Sequence, residues 1–272
     1  MPEGPEIRRQ ADKLAEVLSN KKCNNIEFGL IRHRPYSEVL RGENILSVTS
    51  KGKAMLIHFE NGYSIFSHNQ LYGRWEVVAA GERPESSRQL RLALDTSAGS
   101  ALLYSASDID VLPTSELVNH PFLSKLGPDV LDNNVTPAVI TKRLRARKFN
   151  GRQLAALLLD QHFLAGLGNY LRSEILYSAG LLPVRKPSSL SAEEVETLSV
   201  AIKQITVRSY KTKGVTVTHE IYDRVRKHGG SFEQARFAVF NKESEPCLKC
   251  SAEIKRENRG GRRLYYCENC QE

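Results

Sequence analysis

The pattern that most constrains this chain lies at its end. Cys247-Leu248-Lys249-Cys250 is followed, after sixteen residues, by Cys267-Glu268-Asn269-Cys270. Each Cys-x-x-Cys turn offers two thiolates to one point in space. Two such turns fill a tetrahedron around Zn²⁺ and leave no open position, so the expected cofactor is one structural zinc on Cys247, Cys250, Cys267 and Cys270. The fifth cysteine, Cys23, stands alone and reads as an ordinary residue. Between the pairs run Arg256, Arg259, Gly260-Gly261, Arg262 and Arg263, then Leu264-Tyr265-Tyr266. Strand, glycine turn, strand makes a zinc ribbon with arginines at its tip. Such arginines either grip phosphate or stand as a solvated basic hairpin.

The whole chain of 272 residues is long enough for two ordinary domains or three small ones. No apolar run approaches membrane-spanning length. Glu3 and Glu6 come too early for a signal peptide, so a cytoplasmic protein is expected, and free thiols suit that compartment. A net charge of +8 tilts the choice of partner toward a polyanion, nucleic acid first.

Three regimes of hydrophobic period precede the ribbon. Pro5 suits a first helical turn, and Ile7, Ala11, Leu14 and Leu18 then share one face. From Asn44 to Leu112 the period falls to two: 45–48, 54–59, 63–67, 75–78, 90–94 and 101–104 read as short strands, with Asn61-Gly62 as a hairpin turn. Closely spaced short strands suggest a sandwich or barrel. After Gly127-Pro128-Asp129 the pattern turns helical, with a helix from Thr136-Pro137, a buried helix over Leu154–Leu159, and a capping box at Ser191-Ala192-Glu193-Glu194. The basic, glycine-punctuated segment from Lys211 to Ser231 reads as a flexible loop.

Four further stretches carry chemistry. Pro2, once Met1 is trimmed, has a free secondary amine beside the Glu3 carboxyl. Such an amine can attack an aldehyde-like carbon and become a cationic Schiff base, with the carboxyl moving protons. The positive end of the first helix favours the neutral amine. Leu164-Ala165-Gly166-Leu167-Gly168-Asn169-Tyr170 is a glycine turn opening a helix, suited to a phosphate oxygen or to plain helix packing. Lys51-Gly52-Lys53 stands before a strand, where Lys53 can meet phosphate or donate a proton. His68-Asn69-Gln70-Leu71-Tyr72-Gly73 offers an amide, an aliphatic and an aromatic in a row, either a wedge for a base stack or a buried turn.

Together these stretches resemble the formamidopyrimidine-DNA glycosylase and endonuclease VIII family of base-excision repair, over nearly the whole chain. Gln70-Leu71-Tyr72 and Tyr104-Ser105-Ala106-Ser107-Asp108-Ile109 are similar to the endonuclease VIII branch. The resemblance implies a multidomain α+β fold: an N-terminal β-sandwich with flanking helices over 1–130, a helical domain with a helix–two-turn–helix over 131–235, and a zinc ribbon over 236–272. It implies a bifunctional glycosylase and abasic-site lyase. Pro2 would be the nucleophile and Glu3 the proton shuttle, with Glu6 supporting the site. Lys53 would hold phosphate and assist β-elimination, and Arg262 would clamp phosphate for δ-elimination. Gln70, Leu71 and Tyr72 would fill the gap left by an everted nucleotide, while Lys125 and Asn169 would bind the DNA backbone. The implied partner is duplex DNA with oxidised bases or abasic sites, met by a monomer in the bacterial cytoplasm at the nucleoid, with no membrane role. Oxidised pyrimidines are the expected substrates; oxidised-purine excision and non-catalytic binding of damaged DNA are the rivals.

Overall fold

In the computed structural model residues 2–272 are described, and the expected trimming of Met1 concerns a residue outside them. The chain forms two compact units, one ending at Lys125 and the other spanning Leu126–Glu272.

The first unit opens with helix α1 (Gly4–Leu18) and continues through β1 (Lys21–Lys22), β2 (Asn25–Phe28), a short α2 (Tyr36–Leu40), β3 (Asn44–Lys51), β4 (Ala54–Phe59), β5 (Tyr63–His68), β6 (Arg74–Val78), β7 (Leu90–Asp95), β8 (Ser100–Tyr104) and β9 (Asp108–Pro113). The strands form two antiparallel sheets, of order β1-β3-β4-β5-β9 and β2-β7-β8-β6. Ile7, Ala11, Leu14 and Leu18 of α1 are buried with Val48, Ile57, Leu92 and Leu103, so helix and both sheets share one core. That burial is what the period-three-to-four apolar stripe of α1 and the period-two stripes of the strands dictate. The six expected strands are present. β9, which pairs with β5 from Tyr63↔Pro113 to His68↔Asp108, is an addition. Ser105 at φ 55° turns the chain from β8 toward it.

The second unit holds α3 (Pro137–Arg145), α4 (Leu154–Leu157), α5 (Asn169–Ala179), α6 (Ala192–Lys211), α7 (His219–Lys227), α8 (Phe232–Arg236), β10 (Lys255–Arg259) and β11 (Arg262–Tyr266). Thr136 caps α3 and Ser191 caps α6, the latter with the reciprocal Glu194 bond. Leu264 of β11 is buried in the helical core, so the ribbon hairpin and the helices share apolar packing.

Two readings of this unit need correction. The run Leu154–Leu159 is buried for most of its length but helical only over its first four residues. It breaks at Asp160, whose Oδ1 accepts from His162 N at 2.9 Å, and Gln161 then ties the following loop by donating to Leu159 O and Leu167 O and accepting from Gly166 N. The segment Lys211–Ser231 is not a plain loop. Its middle is the nine-residue α7, with Ile221, Tyr222 and Val225 half-buried on one face, and Tyr222 meets Phe232 of α8 at 6.3 Å between ring centroids. Charge and glycines at the segment's ends masked that short helical period.

Candidate active site

In the first unit several of the candidate residues gather at the start of α1. Glu3 caps that helix with extended backbone and is only 3% exposed. Its N–H donates to Glu6 Oε2 at 3.0 Å, while Glu6 Oε1 accepts from Arg9 Nη2 at 3.0 Å. Glu6 thus fixes the backbone between the Pro2 nitrogen and the helix, a bond worth about 1.5–3 kcal/mol for a charged acceptor. A cavity of about 290 Å³ adjoins it, lined by Pro2, Glu6, Gln10, Asn69, Leu71 and Tyr72 among others.

The wedge stretch is held to that helix. Buried Asn69 donates through Nδ2 to Gln10 Oε1 at 3.0 Å, and Gln10 Nε2 donates to Trp75 O at 3.3 Å. Gly73 N closes the turn onto Asn69 O at 2.7 Å. A Cβ at Gly73 would lie 2.4 Å from that same oxygen, so only glycine fits. Gln70 sits at φ 52°, its Oε1 accepting from Ser107 Oγ at 3.1 Å, and Arg88 Nη1 donates to Tyr72 O at 2.8 Å. With both flanks pinned, Leu71 and Tyr72 project at 55% and 67% exposure. Apolar side chains held out in water on a tied turn are poor stabilisers and good inserts.

Lys53 follows Gly52, which takes φ 61° in the two-residue link from β3 to β4, and it is buried while Lys51 is exposed. Burial lowers the pKa of the nearby His68 imidazole; Asp108 resists the fall and Lys53 adds to it. Lys125 is exposed in a short 3-10 turn. The approach to that turn is anchored by buried His120, whose Nδ1 accepts from Phe122 N at 3.2 Å and whose Nε2 lies 3.1 Å from Asp110 Oδ2.

In the second unit Asn169 opens α5. Its Nδ2 donates to Arg263 O at 2.7 Å and its Oδ1 accepts from Arg172 Nη2 at 2.7 Å. Arg172 is wholly buried and also donates to Ala155 O, Arg259 O and Arg263 O at 3.1, 3.2 and 3.3 Å. One guanidinium therefore holds both strands of the ribbon hairpin at their tip. Gly260 and Gly261 form the turn with φ 61° and 70°, the left-handed pair of a type I′ hairpin. Arg262, first residue of β11, is presented there, exposed.

The four cysteine sulfurs lie within 4.8 Å of one another, with Cys250–Cys267 at 3.5 Å and Cys247–Cys270 at 3.8 Å. A tetrahedron with ~2.3 Å Zn–S bonds has sulfurs roughly 3.8 Å apart, so the set fits zinc. Burial works against the Cys247 thiolate, but hydrogen bonds from Tyr177 and the Lys249 and Cys250 amides outweigh it and bring the thiol down to about 6. Burial pushes Cys270 up to about 12, so four thiolates need a cation. The ribbon holds one structural zinc.

The residues missed in sequence are those that hold the site. Arg172 and Glu174 lie inside α5, buried along Tyr170–Tyr177. Glu174 accepts from Thr216 Oγ1 at 2.5 Å and from the Ala238, Val239 and Phe240 amides at 2.8 Å each. The available signal was a helix apolar on nearly every side that nevertheless carries an Arg and a Glu, since a buried charge must be partnered.

Sandwich, two-turn helical unit and four-thiol ribbon together define one class of DNA repair protein. The family profiles described as formamidopyrimidine-DNA glycosylase N-terminal domain, formamidopyrimidine-DNA glycosylase H2TH domain and zinc finger found in FPG and IleRS match residues 1–107, 126–220 and 244–272. Endonuclease 8 of Escherichia coli is 45% identical over 271 residues, 100% of both chains, and that of Klebsiella pneumoniae matches to the same extent. Among solved structures, Lactococcus lactis formamidopyrimidine DNA glycosylase bound non-covalently to DNA containing an AP site superposes with a TM-score of 0.82 at 21% identity, over 99% of each chain. MutM in complex with DNA containing carbocyclic 8-oxo-G gives 0.82 at 22%, over 100% of each. The chain belongs to the formamidopyrimidine-DNA glycosylase and endonuclease VIII family. It is a bifunctional base-excision DNA glycosylase and abasic-site lyase. No helix among the described residues is long and apolar enough to cross a membrane.

Proposed function

We propose that the chain excises oxidised pyrimidines from duplex DNA through the amine of Pro2 and then cleaves the strand by successive β- and δ-elimination. The observation that carries this reading is the grip of Glu6 on the Glu3 nitrogen, beside a cavity lined by both Pro2 and the projecting Leu71 and Tyr72. The neutral Pro2 nitrogen gives its electron pair to C1′, and the glycosidic pair leaves with the base, which takes up a proton. Glu3 protonates the ring oxygen as the sugar opens, giving a cationic iminium. That cation acidifies the C2′–H; its loss expels the 3′ phosphate, and a second elimination expels the 5′ phosphate. Water then releases Pro2. Lys53 holds phosphate and donates a proton in the first elimination, Arg262 clamps phosphate in the second, and Lys125 and Asn169 bind backbone. Gln70, Leu71 and Tyr72 fill the vacated stack, where base contact offsets the few kcal/mol that unstacking costs. The preference for pyrimidines is supported by the 45% identity to proteins named Endonuclease 8. The enzyme works as a monomer in the bacterial cytoplasm, at the nucleoid.

The test is borohydride trapping on a duplex with one abasic site, followed by mass analysis of the N-terminal peptide. An adduct on the Pro2 nitrogen is expected, and protein that retains Met1, where that nitrogen is a tertiary amide, gives none there. Failure of correctly trimmed protein to give an adduct sinks the mechanism. Duplexes with thymine glycol or 5-hydroxyuracil are cleaved faster than one with 8-oxoguanine; the reverse order assigns the chain to oxidised purines.

A further inference from the structure

Between Asp132 and Asp160 the chain contains no carboxylate, yet it carries Lys142, Arg143, Arg145, Arg147, Lys148 and Arg152. Three of these are engaged within the unit, Arg145 through a bond from its Nη2 to Ser191 O at 3.4 Å. Arg143 donates to Phe163 O and His162 O at 2.7 Å each, and Arg152 pairs with Asp160. Lys142, Arg145, Arg147 and Lys148 are exposed, and among the described residues none of them has a carboxylate at ion-pairing distance.

The turn that displays Arg147 and Lys148 is firmly built. Phe149 is buried at its centre, with the Arg143 guanidinium 5.0 Å and the Lys148 Nζ 5.4 Å from its ring centroid. The Phe149 and Asn150 amides both donate to Ala146 O, at 2.8 and 3.0 Å, and Ser188 N donates to Asn150 O at 2.8 Å. This turn is also joined to the ribbon tip. Arg259 Nη1 donates to Gln153 Oε1 at 3.4 Å, and Arg172 bridges Ala155 O and Arg259 O. The unpaired cations at 147–148 and those of the Gly260-Gly261 turn thus stand on one connected scaffold.

A run of charge is by itself an ordinary solvated face. Here the cations lack acidic neighbours, their backbone is fixed, and they continue from an arginine cluster. We propose that the Arg147–Lys148 turn is a second phosphate-contacting surface, which grips the backbone of duplex DNA outside the segment bound at the lesion. Cations carried on a backbone already fixed leave only side-chain freedom to lose on meeting phosphates, and release condensed counterions as they do. The inference rests on the DNA-repair reading above.

The test uses zinc-loaded full-length protein and two duplexes bearing a non-cleavable abasic analogue, one of about ten base pairs, roughly one helical turn, and one about three times longer. Arg147→Gln with Lys148→Gln weakens binding to the longer duplex several-fold and lowers the slope of log K against log salt by about 2, at about 0.9 per lost contact. Binding to the short duplex stays as in wild type. The charge-conserving pair Arg147→Lys with Lys148→Arg keeps the wild-type slope. An unchanged slope for the Gln pair overturns the proposal, even where the variant loses an acidic protein partner instead. Equal losses on both duplexes overturn it too, since the turn then serves the lesion grip or the fold. Wild-type protein that shows the length-dependent slope but leaves abasic DNA uncut would instead refute the enzymatic reading and spare this one.

Discussion

Replacing Glu174 by Gln tests how the ribbon is attached. The two carboxyl oxygens divide four donors: Oε1 takes the Val239 and Phe240 amides, Oε2 the Ala238 amide and the Thr216 hydroxyl. A glutamine oxygen in the Oε1 position retains two amides but loses charge assistance, from about 1.5–3 kcal/mol per bond to about 1. Its NH₂ group then faces the Ala238 N–H, leaving a buried donor unsatisfied at about 1–3 kcal/mol. The Thr216 hydroxyl escapes, because it also donates to Arg236 O at 3.0 Å and can turn. The total is about 2–7 kcal/mol, against stabilities of about 5–15 kcal/mol for whole proteins. Urea unfolding at fixed zinc, followed by far-ultraviolet circular dichroism, reads the shift in midpoint. Thr216→Val is the internal standard, at about 1.5–3 kcal/mol for one hydrogen bond to the carboxylate. If Glu174→Gln costs no more than Thr216→Val, the amide nest does not carry the ribbon attachment and the reasoning fails.

Leu71→Ala and Tyr72→Ala change stability by less than about 0.5 kcal/mol, as exposed positions should, yet each slows lesion excision; a calorimetric loss above about 2 kcal/mol would mean the wedge is a folding element. Cys267→Ser, or stripping zinc with a chelator, abolishes DNA binding and metal content together, and normal affinity without zinc contradicts the ribbon's role. Asp95 is buried, which works against its ionised form, but bonds from Arg83, Ser100 and Asn25 outweigh this and hold its pKa below the usual range. Its stabilisation is therefore full above the unfolded value and is lost as pH falls through the folded one, so Asp95→Asn destabilises the protein at pH 7 and the deficit closes only as pH falls below the usual carboxylate range; a deficit independent of pH argues for packing instead. Arg172→Lys keeps the charge but cannot reach four acceptors in one plane, and DNA affinity falls at least tenfold by titration; wild-type affinity would show that the hairpin tip needs no such clamp.

Much of this was legible because period and chemistry agree. The apolar stripe of α1, six of the strands and the cysteine spacing each follow from a local rule, and each element lies where the rule puts it. The candidate site drawn from the sequence is equally local: Pro2 and Glu3 at a terminus, Gln70-Leu71-Tyr72 on one turn, four thiols in two turns. What escaped was long-range. The bond from Gln10 to Asn69 spans 59 positions and that from Arg172 to Arg263 spans 91, and no window of sequence contains both partners. β9 escaped because Asp108-Ile109-Asp110-Val111 is short and half polar, and α7 because nine residues between glycines give barely two turns of period.

The placement of partners along α5 has a consequence for how such chains can diverge. Asn169, Arg172 and Glu174 address the segments around them in turn: Arg263 at the tip, Ala155 and Arg259 beside it together with Arg263 again, and the 238–240 amides that lead into the ribbon. The helix serves as a ruler with three marks. Inserting or deleting one residue between the marks rotates those beyond it by about 100°, turning a buried carboxylate or guanidinium away from its acceptors. Substitution along this stretch can be gradual, whereas a change of length must be made good in three places at once. The spacing of the helix is therefore under tighter restraint than the identity of most of its side chains.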